Sequence, residues 1–152
     1  MKSIQLNKEN LTLNEVTIMD WKTIKEEDFL SSIPSSKRVF DVGRGATIYV
    51  FDKAGLRFWV REGALYQGQV VLERKEDEKF PTHVYDGNIF IDHMEMKFPI
   101  TLEQLKNVKE LKLEKDLDSI QYGLNIYSGL LGSKKYTFYV DKKDEYVSSI
   151  WI

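Results

Sequence analysis

Nine residues near the start of the chain are echoed, strand for strand and turn for turn, near its middle. Asn10-Leu-Thr-Leu-Asn-Glu-Val-Thr-Ile18 lies over Asn88-Ile-Phe-Ile-Asp-His-Met-Glu-Met96 without a gap, position 88 against position 10, a displacement of 78. Leu11, Leu13, Val16 and Ile18 therefore fall on Ile89, Ile91, Met94 and Met96. Alternation of this kind has the period of a strand, and the polar pairs between the apolar ones are turn chemistry. Thr23 and Thr101 obey the same displacement, each opening a capping box whose fourth member is Glu26 or Gln104. Further on, Tyr49-Val-Phe-Asp-Lys53 matches Phe138-Tyr-Val-Asp-Lys142, and Gly43 matches Gly132, at a displacement of 89. The second copy thus carries about 11 more residues, which fall in the segment 109–118.

A repeat of this form restricts the fold sharply. Each copy has one apolar sheet face and one apolar helix face, and two copies bury them most economically around a shared core. The expected class is α+β: a mainly antiparallel sheet with two short helices, built from two similar hairpin-helix-hairpin halves. The halves are about 1–62 and 82–152, joined by a strand and charged loop over 63–81. A length of 152 residues suits a single domain.

Within that frame, Ser3 to Leu6 and Leu11 to Leu13 read as a hairpin across Asn7-Lys-Glu-Asn10. A helix is expected from Ile24 to Ser32, capped by Thr23 and stopped by Pro34. A meander follows from Arg38, with turns at Asp52-Lys-Ala-Gly55 and Arg61-Glu-Gly-Ala64 and a strand from Leu65 to Leu72. Strands resume at Asn88 to Ile91 and Met94 to Phe98, and a second helix starts after Thr101. The segment 109–118 alternates charge and leucine and fits helix or strand equally. Lys135 to Asp141 and Tyr146 to Ile152 read as a closing hairpin.

The chemistry available is narrow. No cysteine means no thiolate zinc site, iron-sulfur cluster or cysteine nucleophile. The two histidines, His83 and His93, form no His-Glu-x-x-His or His-x-His pattern, so no metal site is expected. Gly43-Arg-Gly45 leads into a strand, whereas a phosphate cradle leads into a helix N-terminus. Ser128-Gly-Leu-Leu-Gly-Ser133 has the wrong order for a nucleophile elbow. The pairs Asp116 with Asp118 and Asp141 with Asp144 have lysines nearby and read as solvated, which gives no general acid. The expectation is a non-enzyme with no catalytic residues and no cofactor.

Binding is the remaining class. With 22 Lys and Arg against 24 Asp and Glu, the net charge of −2 argues against nucleic acid as the main ligand. A second possibility is a small-ligand or nucleic-acid module on the aromatic meander, where Arg57, Trp59, Arg61, Tyr66 and Lys75 form a strip. Glu62, Glu73, Glu76, Asp77 and Glu78 interrupt that strip and repel phosphate. No apolar run approaches 18 residues and the first residues have no hydrophobic signal region, so no membrane is expected and the cytoplasm is the expected address. Exposed aromatics beside mixed charge fit a protein-binding surface.

Tyr49-Val-Phe-Asp-Lys-Ala-Gly-Leu-Arg-Phe58, followed by Tyr85-Asp-Gly-Asn-Ile-Phe-Ile-Asp-His-Met-Glu-Met96, resembles a group of small bacterial domains with a Tyr-Val-Trp-Asp-x-x-Gly-Ile strand and turn and a Phe-x-Gly-x-Leu-x-Ile strand. Phe51 stands in place of the usual Trp and Tyr85 in place of the usual Phe, while Asp52, Gly55 and Gly87 are kept. The likeness covers most of residues 10–110. Such domains resemble immunity proteins of bacterial polymorphic toxin systems, which bind and neutralise a cognate toxin. The resemblance implies a role and a toxin or effector domain as partner, not a particular site; its motif residues have the character of fold determinants. Acidic clusters suit a basic nuclease-type toxin. The contact candidates are Glu76, Asp77 and Glu78 in the charged loop, with Asp116, Asp118 and Asp144.

Overall fold

A computed structural model describes residues 2–118 and 123–152. The protein is α+β and mainly antiparallel, with two short helices. In chain order the strands are β1 (Ser3–Leu6), β2 (Leu11–Leu13), β3 (Val16–Ile18), β4 (Lys37–Gly43), β5 (Ala46–Phe51), β6 (Leu56–Arg61), β7 (Ala64–Val71), β8 (Asn88–Ile91), β9 (Met94–Glu95), β10 (Leu111–Lys115), β11 (Leu124–Leu131), β12 (Lys134–Asp141) and β13 (Val147–Trp151). Helix α1 is Glu26–Ser32 and α2 is Leu102–Lys106. Two compact units result: residues 1–18 with 87–152, and residues 19–86.

In the first unit the two echoed hairpins share one sheet, ordered β3-β2-β1-β8-β9. Both hairpins turn on two residues with positive φ, Asn14 (45°) and Glu15 (76°) in one, Asp92 (47°) and His93 (66°) in the other. That is the backbone of a two-residue type I′ turn, whose twist matches that of the strands it joins. The sequence echo is thus an echo of turn geometry. Strand β1 lies between the hairpins, antiparallel to β2 and parallel to β8. Register aligns Ile4 with Leu13 and Ile89, and Leu6 with Leu11 and Ile91, so one face of the three central strands is apolar and buried. A one-residue slip would turn this entire face outward.

The same unit holds the antiparallel run β10-β11-β12-β13. Its buried face carries Leu131, Tyr136, Phe138 and Val140. The Tyr136 hydroxyl donates to the carbonyls of Asn7 (3.0 Å) and Asn10 (3.3 Å), tying β12 to the β1–β2 turn. Burial pushes this phenol up to about 12. Segment 109–118, which fits helix or strand by pattern, contains β10. Strand β11 has no counterpart among the expected elements, because its Ser128-Gly129 centre lacks the β-branched and aromatic residues that mark a strand. Gly129 is there for close packing: a Cβ would lie 2.7 Å from Leu111 Cδ1 and 2.9 Å from Phe138 Cε2. The expected strand 94–98 stops at Glu95, short of Phe98-Pro99, whose peptide is cis.

The second unit is the meander β4-β5-β6-β7 with α1 packed on it. Phe29 of α1 meets Phe58 of β6 edge to face at 5.1 Å, and Trp21 contacts both rings at 5.7 and 6.0 Å. Tyr49 of β5 donates to Glu26 Oε1 at 2.9 Å, which orients the first turn of the helix.

The two capping boxes differ in outcome. Thr101 caps α2 as expected, accepting from Gln104 N at 3.2 Å, but Gln104 Oε1 takes the N–H of Lys97 at 2.7 Å rather than that of the cap. The expected start after Thr23 is not the one used: the N-cap position of α1 is Lys25. Thr23 lies in a 3-10 turn, Trp21–Thr23, capped by Asp20; Ile24 is extended, and α1 begins only after Lys25, whose side chain makes no capping bond. The aromatic cluster explains this, since Trp21 must reach Phe29 and Phe58 and the chain needs an extended step to do so.

Candidate interaction surface

The charged loop after β7 is clamped from two strands. Arg38 of β4 forms a two-pronged ion pair with Asp52: Nε donates to Oδ2 at 2.6 Å and Nη2 to Oδ1 at 2.7 Å. Asp52 Oδ1 also accepts the N–H of Thr82 at 3.0 Å. The same guanidinium donates to the carbonyls of Glu78 (2.8 Å) and Phe80 (3.1 Å). Arg57 of β6 is only 6% exposed; it donates through Nε to Gln69 Oε1 and through Nη1 to the Lys79 carbonyl at 2.9 Å. Its plane is stacked by Phe80 (3.5 Å to the ring centroid) and Trp59 (4.6 Å). Within the loop, Asp77 Oδ1 accepts from Lys79 N at 2.8 Å, and the Asp77 carbonyl from Phe80 N at 3.0 Å. The side chains of Glu76, Asp77 and Glu78 stand out in solvent on a backbone that is held from beneath.

The three remaining candidates lie in the other unit. Asp116 and Asp118 follow β10, where Asp116 Oδ1 accepts from Asp118 N at 3.0 Å. Asp144 is in the β12–β13 turn, its N–H donated to Asp141 Oδ1 at 2.8 Å. Antiparallel pairing of β10, β11 and β12 puts all three at the same end of that sheet, with the lines of β10 and β12 roughly 10 Å apart. Asp118 and Asp144 are exposed and Asp116 half-buried. Lys142 and Lys143 share the turn with Asp144 and dilute its charge.

The aromatic and basic strip is only partly open, since Arg61 and Tyr66 are exposed. Arg57 is buried between rings, and Arg61 sits over Tyr66 at 5.3 Å. Among the described residues no cluster of three or more His, Asp or Glu is placed to hold a metal ion, and no helix is long and apolar enough to cross a membrane. Sequence reasoning missed Arg38 and Arg57 as the residues that position the acidic loop. The signal was faint, because three strands separate Arg38 from the loop in sequence and one separates Arg57 from it.

The first part of the motif that carries the resemblance, residues 49–58, lies in the second unit with Tyr85, while Gly87 and residues 88–96 belong to the first. Phe51 is buried, Asp52 receives Arg38, and Gly55 (φ 66°) is overlain by the Val84–Tyr85 backbone, with Tyr85 itself 2% exposed. These residues form a structural node under the loop. Comparison with family models, with curated proteins and with solved structures returned no match.

The ion pair gives a pH prediction. Arg38, by hydrogen bonding, holds the Asp52 carboxyl below its usual value. A carboxylate whose folded pKa is depressed stabilises the fold above its unfolded pKa of about 3.9, and that stability is lost as pH falls through the lower folded value. Asp52→Asn should therefore cost about 1–2 kcal/mol near neutrality, with the difference from wild type shrinking as pH falls below the unfolded pKa of about 3.9. Urea titrations at several pH values measure it; a pH-independent difference refutes the ion pair as the source.

Proposed function

We propose that the protein is a toxin-neutralising binding protein of the immunity class, acting by occlusion of a cognate bacterial toxin. The observation that supports this most is the acidic loop, whose exposed Glu76, Asp77 and Glu78 are carried on a backbone fixed by Arg38 and Arg57. A charged surface held in place before encounter steers association and avoids the entropy loss of ordering a loop at the interface. The resemblance of the Tyr49–Phe58 and Tyr85–Met96 segments to such proteins points the same way.

The test is co-expression with the product of the adjacent gene. Protection of the cells and a stoichiometric complex on a sizing column are the expected results. A harmless neighbour that forms no complex refutes the proposal. Given a complex, Glu76→Lys with Glu78→Lys should slow association by roughly tenfold at low salt and much less at high salt, as for charges that steer encounter. Asp77 is left intact because it closes the loop's own turn.

A further inference from the structure

Strand β10 is outermost in its unit, and its main-chain groups divide into two rows. Asp116 N donates to Ile126 O at 2.8 Å, and the register continues with Lys115 opposite Tyr127. In an antiparallel pair the bonded positions alternate, so Lys112 and Glu114 face β11 while Leu111, Leu113 and Lys115 point their N–H and C=O groups away from it. The Leu111 N–H is taken by the Val108 carbonyl at 3.1 Å. Among the described residues, the Leu111 C=O, both groups of Leu113 and both groups of Lys115 have no partner.

This row is self-complementary. We infer that β10 pairs antiparallel with β10 of a second copy of the chain, about a two-fold axis through Leu113. In that register Leu113 lies opposite Leu113 of the second copy, and Leu111 opposite Lys115. Four main-chain hydrogen bonds form: one from each Leu113 N–H to the facing Leu113 C=O, and one from each Lys115 N–H to the facing Leu111 C=O. The one inner group already used, the Leu111 N–H, is not needed.

The side chains agree with the backbone. Lys112 of each copy faces Glu114 of the other, giving two symmetric ion pairs. Both side chains are exposed, and neither makes an ion pair within its own chain among the described residues. Strand β4, outermost in the other unit, has a register shift between Asp41 and Gly43, and a bulge of that kind turns an edge away from pairing. The register of β10 with β11 is unbroken.

Analytical ultracentrifugation of the full chain over a concentration series tests the pairing. The contact is small, so a reversible dimer with a dissociation constant on the order of 100 μM is expected. Lys112→Glu and Glu114→Lys each place like charges opposite one another twice and should weaken the dimer by about tenfold or more. An equimolar mixture of the two variants should associate again, because each supplies the charge the other lacks. Exchange of the Leu113 and Lys115 amides should slow as concentration rises. A chain that sediments as a monomer throughout, a dimer unchanged by both reversals, or a mixture that fails to associate overturns the inference.

Discussion

Gly55→Ala should lower the stability of the protein by about 3–5 kcal/mol, while Gly63→Ala costs about 1 kcal/mol. Both glycines have positive φ, 66° and 76°, where an L side chain is strained. Only Gly55 is crowded. A Cβ there would sit 2.6 Å from Tyr85 Cα and would also meet the Tyr85 backbone nitrogen, whereas nothing lies within 4 Å of one at Gly63. To admit the methyl group, the Val84–Tyr85 segment must lift, which breaks the Tyr85 N–H bond to the Val71 carbonyl (2.8 Å) and withdraws a buried ring. Denaturant titration of the two variants checks this, and equal losses at the two positions would show that strain in φ alone is responsible.

The second large effect is expected at Arg57. Arg57→Met keeps an unbranched stem to fill the slot between Trp59 and Phe80 but removes every donor. Gln69, 2% exposed, loses its guanidinium partner, and a buried amide oxygen without a donor costs about 1–3 kcal/mol. The Lys79 carbonyl loses its bond and the rings lose the stacked cation, worth about 1–2 kcal/mol more. A total of about 2–5 kcal/mol is expected, with a local signature: the amides of Lys79, Phe80 and Thr82 should exchange faster than any global loss of stability explains. Uniform acceleration across the chain would show that Arg57 supports the core and not the loop in particular. On the functional proposal, the same variant should bind the toxin more weakly although Arg57 itself is buried.

Much of the local structure was legible in the order of the residues. Alternation in Leu11–Ile18 and Asn88–Met96 marks the hairpins, and the polar pairs Asn14-Glu15 and Asp92-His93 mark their turns, because strand period and turn preference act over two to four residues. Thr101 marks the start of α2 for the same reason. The acidic residues of the loop were visible as charge. What holds them was not, since Arg38 and Asp52 are 14 positions apart, and Arg38 and Glu78 are 40 apart. The misplaced start of α1 is a related case, in which the packing of Trp21 on Phe29 and Phe58 overrode a sound local capping pattern.

The residues alone establish the period of each element, the positions of most turns, and a composition that leaves little room for thiol or metal chemistry. They also establish that a hairpin pattern occurs twice. Tertiary structure decides that β1 lies between the two hairpins, parallel to β8, so that Ile4 and Leu6 join their apolar faces into one. It decides, too, that the acidic loop is held down by two arginines and that, among the described residues, the outer side of β10 is left open. Periodicity tells which side of a strand is apolar, but every strand of this chain satisfies that rule in several pairings. Only side-chain volume and hydrogen-bond geometry, acting between residues far apart in the chain, choose among them.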